Sequence, residues 1–156
     1  MKKLVYFLIL VTSCKHSKHG IKDEIFLKIN AQDVGTRTQI IDLKTITPFQ
    51  WDKLYVFYGW TEGDSIAKFI DIPYNKGMVP DDEERMIYVS EKKIIYEEDF
   101  PQADGKNNGI IFNFKRGTNL SYRLYSDKES SFYVKKEISK GNSTFVLTPT
   151  GNEYVK

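Results

Sequence analysis

The chain is poor in the residues that carry nucleophilic and redox chemistry. It contains one cysteine, Cys14, and two histidines, His16 and His19, and all three lie close to its N-terminus. A single cysteine cannot form an internal disulfide, and a Ser–His or Cys–His mechanism needs a histidine. The remainder of the chain, from residue 20 onward, therefore excludes both of these mechanisms.

Common nucleotide-binding and catalytic motifs are also missing. There is no Gly-x-x-x-x-Gly-Lys phosphate loop, no Gly-x-Ser-x-Gly turn and no His-Glu-x-x-His zinc motif. The formal net charge is +2, and without Lys2 and Lys3 the chain has 21 basic side chains against 21 acidic ones. Nucleic-acid binding needs a large positive excess on one face. We therefore expect no nucleic-acid partner, and nothing in the sequence indicates a cofactor or a metal.

The N-terminus has the successive parts of a bacterial export signal. Met1-Lys2-Lys3 is positively charged, and the eight residues from Leu4 to Val11 are all apolar. Eight residues are too few for a membrane span, which takes about 20, but they match the apolar part of a signal peptide. The segment ends in Val11-Thr12-Ser13-Cys14, which resembles the lipobox of bacterial lipoproteins. The alternative is a buried strand with a chance cysteine, which no turn signal supports.

The lipobox resemblance implies a signal peptide at residues 1–13 and an acylated Cys14 at the N-terminus of the mature protein. Several acyl chains give stable membrane anchoring, whereas one gives marginal binding. We therefore expect a lipid-anchored protein of the bacterial cell envelope. Lys15 follows the cysteine, which in the enterobacterial sorting rule implies an outer-membrane location facing the periplasm in a Gram-negative organism. Residues 14–20 are then a flexible tether, in which His16 and His19 are solvated.

The spacing of apolar residues from Ile21 onward predicts a mixed fold. Apolar residues at helical spacing predict a helix from Ile21 to Val34 with Gly35 as its cap, or alternatively a short strand over Glu24 to Ile29. A second short helix is predicted after Thr61, whose side chain would cap it. Strands are predicted at Thr38–Thr45, Trp51–Tyr58, Met86–Ser90, Lys93–Glu98, Gly109–Lys115, Leu120–Tyr125, Phe132–Ile138 and Thr144–Thr148.

Together these elements predict a single α+β domain over residues 21–156. We expect an antiparallel, mostly meander sheet with the two short helices packed on one face. The uninterrupted apolar run from Leu54 to Tyr58 indicates a central strand that is covered on both faces. The acidic run Asp81-Asp82-Glu83-Glu84 is expected to lie in a solvated loop.

The segment Phe49-Gln50-Trp51-Asp52 is similar to the Phe-x-Trp-Asp strand motif of an uncharacterised family of small bacterial lipoproteins and secreted proteins. Asp99-Phe100-Pro101 also resembles that family, so the likeness covers about Ile40 to Pro101. The usual Gly-Pro-Tyr-Thr of the family is here Gly59-Trp60-Thr61. The resemblance implies no activity.

Four residues are the candidate contacts for a ligand or partner: Phe49, Trp51, Asp52 and Trp60. Phe49 and Trp51 occupy alternate positions, so they would face the same side of a sheet while Asp52 faces the other. One interpretation is an aromatic-lined cleft with Asp52 as its polar anchor. The other is a structural corner that pins the strand, in which Asp52 accepts hydrogen bonds from a neighbouring backbone or a lysine.

These observations predict an envelope-anchored, non-catalytic module that binds a protein or a small ligand. A narrower version is an immunity or inhibitor lipoprotein directed against a toxin or a lysozyme-like enzyme, with acidic loops that mimic an anionic substrate. A small envelope hydrolase is the alternative from another class, and it would need a buried carboxylate pair beside a cleft. A structural subunit of an envelope complex would instead expose a large apolar patch.

Overall fold

A computed structural model describes residues 19–31, 39–103, 109–113, 122–139 and 141–151. These residues form two α-helices, α1 (Ile21–Ala31) and α2 (Gly63–Ile70). The strands are β1 (Gln39–Asp42), β2 (Lys53–Tyr58), β3 (Glu83–Ser90), β4 (Lys93–Pro101), β5 (Gly109–Phe112), β6 (Tyr122–Ser126), β7 (Ser131–Ser139) and β8 (Asn142–Pro149). The expected signal peptide, Cys14 and the predicted helix cap at Gly35 lie outside the described residues.

The strands form an α+β domain with two four-stranded sheets, where one sheet was expected. Sheet 1 has the order β1-β7-β8-β5, and sheet 2 has the order β4-β3-β2-β6. All pairs are antiparallel except β5 with β8, which run parallel. Only half of the pairings in the described part, β2–β3, β3–β4 and β7–β8, join consecutive strands. Apolar alternation therefore located the strands, while distant contacts decided their neighbours.

The larger hydrophobic core lies between the two sheets. Alternate residues of each strand point into it, as the two-residue repeat of a strand requires. Helix α1 completes this core with Ile21, Ile25 and Ile29, which are all buried. The main side chains from the sheets are Leu54, Val56, Met86, Tyr88, Tyr125, Phe132, Phe145 and Leu147.

The opposite face of sheet 2 carries a second core. Here Ile66 and Ile70 of α2 pack against Tyr55, Phe57 and Ile87. The central strand β2 is thus buried on both faces, which confirms the prediction from its apolar run. The two helices cover opposite faces of sheet 2 rather than one face, because each of its faces is apolar and needs a covering layer.

Two local predictions near α2 and β3 are wrong. Thr61 does not cap α2, because its hydroxyl donates to the Tyr58 carbonyl oxygen at 2.7 Å and Glu62 occupies the N-cap position. The acidic run is not wholly a solvated loop either. Glu84 lies within β3 and is only 2% exposed, because β-strand alternation turns its side chain inward beside Arg123.

Candidate functional site

Phe49 and Trp51 belong to the packing between the sheets. Trp51 is only 3% exposed, and its indole Nε1–H donates to the Thr47 hydroxyl at 3.1 Å. The ring of Trp51 meets that of Tyr88 edge-on with centroids 5.4 Å apart, and Phe49 stacks on Tyr96 at 5.4 Å. These contacts fit the structural-corner interpretation of the Phe-x-Trp-Asp segment.

Asp52 fastens the start of β2 to the hairpin formed by β3 and β4. Its exposed carboxylate accepts a hydrogen bond from the backbone N–H of Glu91 at 2.7 Å. Glu91 and Lys92 form the two-residue turn of this hairpin with φ values of 48° and 59°, as a type I′ turn requires. The backbone oxygen of Asp52 also accepts the N–H of Asp127 at 2.9 Å. Asp52 therefore stabilises a junction of three strands.

A cleft of about 520 Å³ lies beside this junction. Phe49, Trp51 and Asp52 contribute to its lining together with Lys44 and Asp127. The ammonium of Lys44 lies 3.0 Å from the Asp127 carboxylate, and this hydrogen bond holds the pKa of Asp127 below its ordinary value. The three carboxylates that line this cleft, Asp52, Glu91 and Asp127, are not buried, whereas the hydrolase hypothesis needs a buried carboxylate pair beside a cleft.

Trp60 lies beyond the other end of β2, away from the other three candidate residues. The six residues of β2 separate the two places by roughly 20 Å. The structure therefore does not bring Trp60 together with Trp51 and Asp52 in one cleft. Trp60 is 64% exposed and lines a separate depression.

The backbone and the indole of Trp60 are both held in place. Its φ of 68° is left-handed, a conformation that bulky residues rarely adopt. The Trp60 N–H donates to the Val79 oxygen at 2.9 Å, and the Val79 N–H donates to the Thr61 oxygen at 3.0 Å. The indole Nε1–H donates to the carboxylate of Asp81. A Cβ at Gly59 would lie 2.3 Å from the Asp81 carbonyl oxygen, so glycine allows this close approach.

The Trp60 depression has a volume of about 440 Å³ and a mixed lining. Tyr58, Trp60 and Phe69 supply aromatic rings, and the polar groups come from Thr61, Glu62 and Ser65. Two of the three rings contact side chains of β6 in sheet 2. Phe69 packs on Tyr122 with centroids 4.6 Å apart, and the Arg123 guanidinium lies 4.2 Å from the centre of the Tyr58 ring. The aromatic wall is therefore fixed before any ligand arrives.

A second depression of about 380 Å³ shares Glu62 with the first and is also lined by Asp64, Tyr74, Lys76 and Met78. A buried arginine on β3 holds its wall. The Arg85 guanidinium donates to both carboxylate oxygens of Asp99, at 2.5 and 2.8 Å, and to the Gly77 carbonyl oxygen at 2.7 Å. Arg85 thus bonds Gly77 to sheet 2. Gly77 lies two residues before Val79, so the segment from Val79 to Asp81 begins next to a point that is held to the sheet.

Sequence reasoning missed this arginine, although the hairpin held a signal for it. A two-residue turn at Glu91-Lys92 fixes which residues of β3 and β4 face each other. The resulting register, with a bulge near Tyr88, places Arg85 directly opposite Asp99. An arginine facing an aspartate on neighbouring strands is a favourable cross-strand pair.

A second missed ion pair lies on the other face of β3, inside the sandwich. Arg123 donates to Glu84 at 2.9 Å, and both side chains are buried. Burial raises the pKa of Glu84, and the opposite charge of Arg123 partly offsets this. The second carboxylate oxygen of Glu84 has no hydrogen-bond partner in the part of the chain that the structure describes. Nothing in the residue pattern alone distinguished this buried glutamate from its exposed neighbours.

No group of three or more His, Cys, Asp or Glu side chains among the described residues is placed to hold a metal ion. No protein-family model matches the chain, and no similar protein was found among curated proteins or solved structures.

Proposed function

We propose that this protein is an envelope lipoprotein, anchored through an acylated Cys14, that works as a non-catalytic binding module with the Trp60 depression as its contact surface. The observation that carries the proposal is the presentation of Trp60. A large aromatic side chain is exposed although its backbone adopts a costly left-handed conformation. Such strain persists where the surrounding structure enforces it and is concentrated at functional sites.

Trp60 has the properties of a binding hot spot. Tryptophan is enriched among the few residues that dominate binding energy, because a single ring buries a large area and offers one polar group. The hydrogen bonds that Trp60 donates to Val79 and Asp81 hold its backbone and its ring in place before a partner binds. A partner then avoids much of the entropy cost of ordering a side chain, which is about 0.5–1.5 kcal/mol for a flexible one.

The N-terminal sequence supports the envelope part of the proposal. The lipobox at Val11-Thr12-Ser13-Cys14 precedes the polar residues Lys15 to Gly20, which suit a tether between a membrane and a folded domain. Neither helix in the described residues has the length and apolar character that a membrane span requires. Acylation of Cys14 would supply the membrane contact that such a module needs.

Site-specific photocrosslinking in the cells that produce the protein tests the contact surface. A photoreactive phenylalanine analogue is placed at position 60 of the full chain, and in a matched control at Ile138, which is 72% exposed on β7 of sheet 1. We expect a discrete adduct from position 60 and none from position 138. If position 60 yields no adduct, or both positions yield the same ones, Trp60 is not the contact surface and the proposal fails.

A further inference from the structure

We propose that the Trp60 depression receives an arginine or lysine side chain from a basic protein surface. This inference rests on the proposed function, because it names the class of partner that the same depression takes. It depends on two independent properties of the depression, which are the aromatic rings in its lining and the sign of the charge around them.

The aromatic wall suits a cation. The face of an indole ring is the best aromatic partner for a guanidinium or an ammonium group. The indole N–H of Trp60 donates to the carboxylate of Asp81, which increases the electron density of the ring. The domain already uses the same chemistry on the inner side of this wall, where the Arg123 guanidinium lies over Tyr58.

The surrounding charge is negative. Four acidic residues of this region are exposed. Glu62 lines the depression, Asp64 lines the adjoining one, Asp81 bonds to the Trp60 indole, and Asp82 follows Asp81 in the chain. Among the described residues, none of these four takes part in a salt bridge. Lys76 is the one basic residue that lines the adjoining depression. Its ammonium lies 3.4 Å from the Glu97 carboxylate and 3.3 Å from the Asp99 carboxylate. The positive charge of Lys76 is therefore already paired with two negative charges.

These properties favour one occupant over the others. A phosphate-bearing ligand or an anionic membrane surface would be repelled by the four carboxylates. A neutral sugar could stack on Trp60 and bond to the hydroxyls, but it would gain little from the excess of negative charge. An arginine or lysine side chain uses both features, because its charge faces the carboxylates while its apolar stem covers the rings.

The test uses the mature acylated protein in neutral-detergent micelles and three probes of similar length. These are a hexa-arginine peptide, a hexa-glutamate peptide and a hexamer of N-acetylglucosamine, titrated by calorimetry at low and physiological salt. We expect binding of the arginine peptide alone, weakening as salt screens the charges. The Trp60→Ala variant should lose at least about tenfold in affinity for it.

A matched pair of double variants separates local from net charge. Glu62→Gln with Asp64→Asn removes two carboxylates at the depression, and we expect about fivefold weaker binding of the arginine peptide. Asp23→Asn with Glu137→Gln removes two carboxylates on α1 and β7, and we expect less than about a twofold change. Thermal unfolding of each variant confirms that it is folded.

Each other outcome overturns the inference. Equal weakening by both double variants would mean that net charge alone attracts the peptide. Binding of the sugar instead of the peptide, with loss in Trp60→Ala, would make the ligand a neutral glycan while leaving the proposed function intact. If no probe binds but position 60 still crosslinks to a partner, the binding module is real and its partner is not basic.

Discussion

The two tryptophans show how strongly the environment decides the role of a residue. Trp51 packs between the sheets and bonds to Thr47, whereas Trp60 has an exposed ring on a strained backbone. Glu84 and Asp99 give a second contrast, because each faces an arginine yet their pKa values shift in opposite directions. Burial dominates for Glu84, and hydrogen bonds from Arg85 dominate for Asp99.

We predict unequal effects on stability when the two tryptophans are replaced. Trp51→Ala should lower the free energy of unfolding by about 3–5 kcal/mol, because it leaves a cavity in the core. Trp60→Ala should change it by less than about 0.5 kcal/mol, because the ring is exposed. Urea unfolding of both variants measures the difference. A similar loss in both would show that Trp60 is a structural residue rather than a contact residue.

The two carboxylates should give opposite pH dependence. The raised pKa of Glu84 means that its contribution to stability is present below the ordinary value of 4.5 and is lost as pH rises through the folded-state pKa. The lowered pKa of Asp99 means that its contribution is present above the ordinary value of 3.8 and is lost as pH falls through the folded-state pKa.

Urea unfolding across about pH 3–7 tests both signs against the neutral isosteres. Compared with Glu84→Gln, the wild-type protein should lose stability as pH rises. Compared with Asp99→Asn, it should lose stability as pH falls. A dependence of the same sign in both comparisons would contradict the environments described for these two side chains.

At the scale of elements, the hairpin of β3 and β4 organises much of sheet 2. Its register brings Arg85 to Asp99, and its turn is held by the Asp52 carboxylate. The turn residues Glu91 and Lys92 both have positive φ, although Asn-Gly is the favoured pair in a type I′ turn. The bond from Asp52 therefore compensates for a turn whose own sequence is unfavourable.

We predict that a better turn sequence makes the hairpin more stable. Replacing Glu91→Asn together with Lys92→Gly should raise the free energy of unfolding by about 1 kcal/mol, because both residues tolerate left-handed backbone. Urea unfolding measures the gain. A loss of stability would show that the side chains of Glu91 and Lys92 contribute more than their backbone strain costs.

Removing the carboxylate of Asp52 should have the opposite effect. Asp52→Ala is expected to cost about 0.5–1.5 kcal/mol, because the exposed turn loses the hydrogen bond from the Glu91 N–H to the carboxylate. Asp52→Asn keeps an oxygen acceptor and should cost less. Faster amide hydrogen exchange at Glu91 in the alanine variant would locate the effect at the turn. Unchanged stability in both variants would contradict the structural role of Asp52.

At the scale of the whole molecule, the proposed anchor and the proposed contact surface lie in different parts of the chain. Cys14 precedes the polar residues Lys15 to Gly20, α1 begins at Ile21, and Trp60 follows the end of β2. An acylated N-terminus would hold the domain at a membrane while leaving the Trp60 depression to meet a partner. Loss of the anchor should therefore change location without changing the fold.

We predict that Cys14→Ser abolishes lipid attachment. The variant should lack the acyl mass of the mature protein and should leave the detergent-rich phase in a phase-separation assay, because no other cysteine is available for acylation. Ser17→Ala, in the tether, is the control and should behave as the wild type. Retention of the acyl mass in Cys14→Ser would exclude this residue as the anchor.

The sequence by itself determined the types of elements and their faces. Alternating residues such as Ile110 and Phe112 located strands, and the apolar run from Leu54 to Tyr58 correctly indicated burial on both faces of β2. The two-residue spacing of a strand and the turn at Glu91-Lys92 are local properties, so short stretches of sequence contain them. The α+β class follows from these local patterns.

Tertiary structure alone decided how the strands divide between two sheets, which acidic residue is buried and which tryptophan is exposed. Alternation states which side of a strand is apolar but not which strand lies beside it, so the parallel pairing of β5 with β8 was not foreseen. Glu84 is buried because Arg123 approaches it from a strand 39 residues away in sequence. Trp60 is exposed because the segment from Val79 to Asp81 fixes its backbone and ring through contacts that no local pattern records.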